Sequence, residues 1–215
     1  MAGIMKSLMS IILIALFGVS LPASDYRIKK VNVLPIDSYP ARTDLGGVTI
    51  AADPYYTNRK SFSAFDTRHL NSRGYFPINL VIKNDSSLFL KIRTRKIILL
   101  TATGQQLYTT PAAVVVDDVF KDGLNIKPNY NGDQDELSHP NAGTPLSDFI
   151  NKELATRLLE PGTVTNGFVF FFTSTPKQNL FAGSTLFIPK LEEEGSGKGL
   201  GPFTIPLDPA IRRRK

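Results

Sequence analysis

The strongest constraint on the fold is a stretch in which apolar and polar residues alternate with a period of two. Between positions 75 and 84, one side of an extended chain carries three large aliphatic residues, Ile78, Leu80 and Ile82. Asn79 and Lys83 fall on the other side, with Val81 between them. This period is that of a half-buried β-strand, and the Asn-Asp-Ser-Ser sequence from position 84 is typical of a turn. We therefore predict a strand whose aliphatic side chains face the core and whose Asn79 and Lys83 point to solvent.

The next apolar run, residues 88–100, predicts a second strand. It begins with alternation, because Leu90 and Ile92 face one way while charged residues face the other. From position 97 to position 100 it is apolar on both sides. A bulge or a change of sheet near Arg95 and Lys96 explains the difference. We expect the two strands to be adjacent and antiparallel.

The C-terminal third contains further strand patterns. Residues 164–173 include a nearly continuous aromatic run, which is typical of a strand buried on both faces. Residues 185–189 and 203–207 predict two short strands whose prolines place them at sheet edges or at their own ends. The polar, glycine-rich residues 192–199 between them predict a flexible hairpin tip. Residues 27–34 and 48–52 have weaker strand patterns.

Two helices interrupt the strands. Thr144 and Pro145 predict the start of a helix over 145–159, and its apolar stripe consists of Leu146, Phe149, Ile150, Leu154 and Leu158. Its outer side carries two i,i+4 ion pairs, Asp148 with Lys152 and Glu153 with Arg157, which we expect to be largely solvated. The stripe needs a hydrophobic surface to pack on, so we expect the helix to be structural. A second helix is predicted over 110–120.

Residues 121–143 have no periodicity and are rich in Asn, Asp, Gly and Pro, which predicts a long loop. Its candidate calcium ligands are five oxygen-bearing residues, Asn129, Asn131, Asp133, Asp135 and Glu136. The glycine among them does not occupy the position that an EF-hand requires. We therefore expect an exposed, mobile loop without a tightly bound ion.

These segments together predict one mainly β domain, an antiparallel sandwich with one or two inserted helices. Residues 74–86, an apolar strand that ends in an Asn-rich turn, resemble an early strand of secreted bacterial immunoglobulin-like β-sandwich domains of unknown function. Residues 159–171 resemble the Pro-Gly turn of these domains and the Gly-Phe and apolar strand that follow it. The resemblance implies an immunoglobulin-like fold and an extracytoplasmic binding or scaffolding role, and it carries over no catalytic residues.

The first two dozen residues have the layout of an export signal. Lys6 precedes an apolar run over residues 8–21, and Pro22-Ala23-Ser24 then ends the run with small residues. Cleavage after Ala23 releases a periplasmic or secreted protein. The alternative is an uncleaved signal anchor, since a slightly short helix can be accommodated in a bilayer. We therefore divide the chain into a signal peptide or anchor (1–24), a sandwich domain (25–208) and a basic tail (209–215).

Charge and composition exclude several functions. The net charge is +6, but the last four residues are all basic, and without them and the signal segment the chain is close to neutral. An exported chain of this kind does not predict a nucleic-acid partner. There is no cysteine and there are only two histidines, which excludes disulfides, thiolate sites and His-rich metal sites. We expect no cofactor, and His69 is expected to be a surface residue beside a turn.

No catalytic motif was found in the sequence. The nucleophile elbow, the His-Glu-x-x-His zinc motif and the phosphate-binding loop are all missing. The side chains of Asp117 and Asp118, adjacent on the predicted helix, point about 100° apart and therefore do not share a site. The leading hypothesis is thus a non-enzymatic binding or scaffolding protein of the cell envelope, whose partner is an envelope protein or a glycan. One alternative is a membrane-tethered form that uses residues 8–21 as its anchor. The other is a glycan-active hydrolase whose carboxylates, with Asp53, Asp66, Asp117 and Asp118 as candidates, meet only in the fold.

Overall fold

The computed structural model describes residues 26–121, 144–154, 158–176 and 180–211. Twelve strands lie within these ranges: β1 Arg42–Leu45, β2 Val48–Pro54, β3 Tyr75–Asn84, β4 Leu90–Lys91, β5 Ile98–Leu100, β6 Gln106–Thr110, β7 Leu158–Leu159, β8 Thr163–Phe172, β9 Thr185–Ile188, β10 Leu191–Glu193, β11 Gly199–Leu200 and β12 Phe203–Pro206. The helices of the same ranges are α1 Asn58–Phe62, α2 Ala112–Phe120, α3 Pro145–Lys152 and α4 Asp208–Ile211. The signal segment, the proposed calcium ligands, Arg157 and the last four basic residues lie outside the described residues.

The strands form two antiparallel sheets, so the prediction of a mainly β fold is confirmed. Eight strands are hydrogen-bonded in the order β1-β2-β3-β8-β6-β5-β9-β12, and four shorter ones in the order β11-β10-β4-β7. The larger sheet curls until its two edge strands, β1 and β12, lie against each other. An immunoglobulin-like sandwich is therefore not confirmed, because most strands belong to a single curled sheet instead of two facing sheets.

The main core lies on the inner side of the curled sheet. Alternate residues of its strands face inward, as the period of two predicts, and β3 contributes Phe76, Ile78, Leu80 and Ile82. Its neighbours contribute Ile50 of β2, Val169 and Phe171 of β8, Leu186 of β9 and Ile205 of β12. Leu90, Leu159 and Leu191 of the smaller sheet complete this core. The predicted inward face of β3 is thus confirmed.

The prediction for the other face of β3 is wrong at Asn79. This residue is only 1% exposed, and its side-chain oxygen accepts a hydrogen bond from the Asn166 amide at 3.5 Å. The outer side of β3 is covered, because Ile36 and Tyr39 of the preceding segment pack on Val81. Lys83, nearer the strand end, is only partly buried, as its position on the outer side predicts.

The change of sheet predicted near Arg95 is confirmed, but the predicted pairing is not. A single 3₁₀ turn, Thr94–Lys96, separates β4 in the smaller sheet from β5 in the larger one. β3 lies between β2 and β8 and does not pair with the strand that follows it in sequence. The Asn84 side chain contributes to the departure, since its amide donates to the carbonyls of Leu88 at 2.9 Å and Leu159 at 3.0 Å. It ties the turn to the smaller sheet.

The helix α3 begins at the predicted Thr144 cap, whose hydroxyl accepts the Ser147 N–H at 3.2 Å, but it ends seven residues earlier than predicted. The chain becomes extended at Glu153, and the Leu154 N–H donates to the Phe168 carbonyl at 2.8 Å. Leu154 and Leu158 therefore do not extend the helical stripe. Gly167 permits this close approach, because a Cβ there would lie 2.7 Å from the Leu154 Cα. Residues 27–34 form no strand, whereas α2 and strands β2, β8, β9 and β12 confirm their predictions.

The helices cover only part of the outer side of the curled sheet. Phe149 of α3 and Phe65 of the loop before β3 pack on the outward rings of β8, Phe168 and Phe170. Their ring centroids lie 4.3 to 5.7 Å apart, and all four side chains are fully buried. Val115 and Val116 of α2 complete this second core. The docking of the helix through Phe149 is thus confirmed.

Candidate binding surface

Two residues of α3, Asp148 and Lys152, form a buried ion pair, where the sequence predicted solvated charges. Asp148 is 2% exposed, and the Lys152 ammonium lies 2.6 Å from its carboxylate. The same ammonium donates to the Ala64 carbonyl at 2.6 Å, and the hydroxyl of Tyr26 donates to the Asp148 carboxylate at 2.7 Å. The prediction of an i,i+4 pair is confirmed, but the prediction that its two side chains are largely solvated is wrong, because that of Lys152 is also only 13% exposed. We call these four residues the Asp148 cluster.

The contacts of the Asp148 cluster are structural, because they hold distant parts of the chain together. Burial, and then the hydrogen bond to Asp148, raises the pKa of Tyr26, which keeps this hydroxyl a donor. Burial lowers the pKa of Lys152, although the hydrogen bond with Asp148 opposes the shift. The ammonium has acceptors on Asp148 and Ala64 and also lies 5.2 Å from the Phe65 ring centroid. The cluster thus joins three parts of the chain: the N-terminal segment, which begins at Tyr26, the loop between α1 and β3, and α3.

A second set of contacts holds the same N-terminal segment three residues further on. The Lys29 ammonium lies 3.0 Å from the Asp66 carboxylate and 3.0 Å from the centroid of the Phe62 ring. The other Asp66 oxygen accepts the backbone N–H of Arg27 at 3.0 Å. Burial alone would raise the pKa of Asp66, but the contacts with Lys29 and Arg27 outweigh it and lower that pKa. Arg68 lies over the Phe62 ring at 5.1 Å.

The four carboxylates considered for hydrolysis have separate partners. Asp53 pairs with Lys60, Asp66 with Lys29, and Asp117 with Lys121 at 3.5 Å. Burial, then the charge and hydrogen bond of Asp118, and last the charge of Asp117, raise the pKa of Tyr75 to about 12. In the described part of the chain, no three His, Cys, Asp or Glu side chains are grouped as a metal site requires. His69 is exposed, as predicted.

The part of the sheet that none of the described helices covers carries a row of mostly apolar side chains that are partly or largely exposed. The outward residues Tyr108 of β6, Ile98 of β5, Phe187 of β9 and Thr204 of β12 are direct cross-strand neighbours. Tyr108 is 59% exposed, and Leu100, on the same side of β5, is 41% exposed. Cross-strand neighbours of this kind lie about 5 Å apart, so they form one continuous patch. We call these five residues the aromatic face.

The aromatic face is a candidate for a surface that binds another molecule. A tyrosine ring offers a large rigid contact area and a hydroxyl that can pair with a partner, which is why tyrosine is frequent at interfaces. Sequence reasoning missed this face. The signal was present in residues 97–100, which are apolar on both sides of the strand, because only one side of β5 is needed for the core.

A shallow cavity of about 210 Å³ lies at one end of the sheet. Its lining is rich in hydroxyl groups, from Thr101, Thr103, Thr173 and Thr175, with Gln105 and Leu180 beside them. The described residues of this lining thus offer neutral hydrogen-bonding groups.

Within the described ranges, none of the helices is long and apolar enough to span a bilayer. No protein-family model matches the sequence, and no curated protein matches it.

Solved bacterial structures are similar to part of the chain. The YjhA protein of Bacillus subtilis is 10% identical over 70% of this chain and 79% of its own, with a TM-score of 0.36. A functionally unknown protein of Listeria monocytogenes is 13% identical over 77% of this chain and 79% of its own, with a TM-score of 0.38. YcdA of Bacillus subtilis, a candidate lipoprotein, is 11% identical over 79% of this chain and 39% of its own, with a TM-score of 0.39. Scores this low carry no functional inference.

Proposed function

We propose that this chain is an exported, non-enzymatic binding or scaffolding protein of the cell envelope, and that it binds its partner on the aromatic face. The observation that carries the proposal is the exposure of Tyr108 in a row with Ile98 and Phe187. Exposed apolar patches on soluble domains are typical of interaction sites. The apolar run over residues 8–21 supports export.

Binding is favoured over hydrolysis by the condition of the carboxylates. A glycoside hydrolase needs two carboxyl groups facing each other across a cleft. Asp53, Asp66 and Asp117 each pair with a different lysine. The contacts with Lys29 and Arg27 that lower the pKa of Asp66 favour its ionised form over a proton donor. We therefore propose no catalytic role for them.

The experiment is a binding assay with matched aromatic substitutions. Tyr108→Ser removes the most exposed ring of the aromatic face, and Phe89→Ser removes an exposed ring outside it, at 48% exposure. Both variants and the parent chain are incubated with solubilised envelope proteins and, separately, with isolated cell-wall glycan. We expect one of these two preparations to bind the parent chain and Phe89→Ser equally and Tyr108→Ser at least tenfold less, because ring contacts at the centre of an interface carry most of its affinity. Equal binding by all three chains contradicts the proposal.

The membrane-tethered form is a second candidate, favoured by how the N-terminal segment is held. Tyr26 is fixed to the domain by Asp148, and only four residues separate it from the end of the apolar run at Leu21. A domain attached this closely suits an anchor that remains in the membrane. The intact mass of the protein recovered from the envelope tests this: retention of residues 1–23 supports the tether, and their loss supports a cleaved signal.

A further inference from the structure

We infer that the surface around the N-terminal segment is a docking surface for anionic lipid headgroups, and that it holds the domain in one orientation on the membrane. Three basic residues, Arg27, Lys30 and Arg68, define this surface, and we call it the basic face. It deepens the tethered form of the proposed function and rests on it. It does not depend on what the aromatic face binds.

The basic face carries exposed positive charge that has no ion-pair partner among the described residues. All three side chains are exposed. Within the described ranges, no carboxylate lies within ion-pair distance of any of them. The nearby Asp66 uses one oxygen for the Lys29 ammonium and the other for the backbone of Arg27. As far as the described residues go, these exposed cations are therefore open to a partner of opposite charge.

The Asp66 and Phe62 contacts hold the backbone that carries Arg27 and Lys30 next to Arg68. Arg68 lies over the Phe62 ring, which Lys29 also contacts, and Lys30 follows Lys29 directly. Ile28, between these basic residues, is 53% exposed. An exposed aliphatic side chain among cations suits the interface of a bilayer, where it can enter the headgroup layer.

The length of chain before Tyr26 places the basic face close to the membrane. Leu21 ends the apolar run, and five residues later Tyr26 is fixed by its hydrogen bond to the buried Asp148. Five residues span at most about 17 Å when fully extended. The Debye length at physiological ionic strength is about 8 Å. A tether this short keeps the cations close enough to come within one Debye length of the headgroups when the domain docks.

Charge complementarity then selects the orientation. A basic residue near an anionic membrane surface favours the docked state by roughly fivefold. Removing all three should reduce the ratio of docked to undocked domain by roughly a hundredfold, if the contributions add. The attraction should weaken as salt is raised, since it acts between solvent-exposed charges.

The test uses the full chain inserted in vesicles and a single fluorescent label. The chain has no cysteine, so an introduced cysteine is the sole labelling site. His69→Cys places a label beside Arg68, just before β3, where the Tyr75 N–H binds the Leu70 carbonyl at 3.1 Å. Ser196→Cys places the matched label in the β10–β11 hairpin, which contacts Phe89 beyond the other end of β3. The ten residues of β3 separate the two ends by about 33 Å.

Quenching by nitroxide-labelled headgroups then reports which end faces the bilayer. In vesicles that contain phosphatidylglycerol, we expect the label at position 69 to be quenched and the label at 196 not. Phosphatidylcholine vesicles, or high salt, should largely abolish the difference. The triple variant Arg27→Gln, Lys30→Gln, Arg68→Gln should lose quenching at 69. A variant with the same loss of charge elsewhere, Lys91→Gln, Arg95→Gln, Lys198→Gln, should retain it. Thermal unfolding of both variants checks that they fold.

Four outcomes would overturn the inference. They are failure of the chain to float with either kind of vesicle, equal quenching of the two labels, equal quenching at 69 in both lipids, and quenching that survives in the basic-face variant. The binding assay with Tyr108→Ser uses a different face, so failure here leaves the partner-binding proposal intact. Equal quenching at 69 in both lipids would mean that apolar contact through Ile28, and not headgroup charge, holds the domain.

Discussion

Two neighbouring strands of the larger sheet, β8 and β6, differ sharply in what lies on their outer sides. On β8, the ring of Phe170 points outward and is fully buried beneath Phe149. On β6, Tyr108 points to the same side, two residues from the residue that pairs with Phe170, and is 59% exposed. Strand geometry is the same at both places. The difference is that α3 and the loop before β3 cover Phe170, whereas none of the described residues covers Tyr108.

The comparison separates the residues that stabilise the fold from those left available for binding. The outward rings of β8 on the covered side, Phe168 and Phe170, carry no polar atom that would need a buried partner. The uncovered side carries a tyrosine, whose hydroxyl can remain in water. Burial of a large ring contributes stability in proportion to the area removed from water. Stability should therefore depend on Phe149 and its neighbours, and binding on Tyr108 and its neighbours.

Removal of one ring from each side gives the largest expected contrast. Phe149→Ala should lower the free energy of unfolding by about 3–5 kcal/mol, because the ring is fully buried and leaves a cavity. Tyr108→Ala should change it by less than about 0.5 kcal/mol, as is usual for exposed positions. Urea denaturation measures both values. If the two substitutions had equal effects, α3 would not be docked through Phe149 and the comparison would be broken.

Removal of one hydroxyl from each side tests the Asp148 cluster. Tyr26→Phe deletes the donor to a carboxylate that is 2% exposed, and should cost about 1.5–3 kcal/mol, as hydrogen bonds to charged groups do. Tyr108→Phe removes a hydroxyl that can bond to water and should leave the unfolding free energy nearly unchanged. Thermal or urea unfolding distinguishes the two. A Tyr26→Phe chain as stable as the parent would mean that the N-terminal segment is not clamped.

A third substitution tests the close approach that ends α3. The Cβ of Gly167→Ala would lie 2.7 Å from the Cα and 2.8 Å from the N of Leu154, so the backbone must move. Overpacking of this kind costs about 1–3 kcal/mol. Amide hydrogen exchange should show faster exchange at Leu154, whose N–H binds the Phe168 carbonyl. The Tyr55 N–H, bound to the Pro77 carbonyl, is the internal control and should keep its protection. Unchanged exchange at Leu154 would contradict the assigned contact.

The local patterns of the sequence predicted most strands, because the period of two is a property of short segments. Ile78, Leu80 and Ile82 face the core as the pattern requires. Whether the opposite side is covered depends on residues distant in sequence, which is why Asn79 was wrongly placed in solvent. The order of the strands has the same origin: the Asn84 side chain, bonded to the distant Leu159, helps to direct the chain into the other sheet.

The candidate sites were less accessible to sequence reasoning. Asp148 and Lys152 have the spacing of a solvated surface pair, and nothing in that spacing indicates Tyr26, which lies 122 positions away from Asp148. Tyr108 is the single aromatic residue of β6. It lies in a row with Ile98 and Phe187 only because β5 pairs with both β6 and β9. Such sites depend on strand order, which local periodicity does not specify.

The smallest expected effect is on how stability depends on pH, and its sign should be opposite for Glu153 and Glu192. Burial raises the pKa of Glu153 above its ordinary value of 4.5. This carboxylate accepts the Ala112 N–H, at the start of α2. The hydrogen bond from Arg93 lowers the pKa of Glu192 below the same value. A raised folded-state pKa gives stability that is complete below pH 4.5 and is lost as the pH rises through the folded-state value. A lowered one gives stability that is present above pH 4.5 and is lost as the pH falls.

Replacement of each glutamate by glutamine should reveal the two signs. Relative to the parent chain, the free energy of unfolding of Glu153→Gln should increase as the pH rises from just below 4.5, because the variant has no buried carboxylate to ionise, while its amide oxygen can still accept the Ala112 N–H. Relative to the parent chain, the free energy of unfolding of Glu192→Gln should decrease as the pH rises toward 4.5. The reason is that Glu192 of the parent ionises in this range and gains its ion pair with Arg93. Urea denaturation at a series of pH values measures both differences, and each variant is the control for the other. Parallel curves of the same sign would show that Glu153 is solvated, and that the contact between the end of α3 and the start of α2 does not shield it from water.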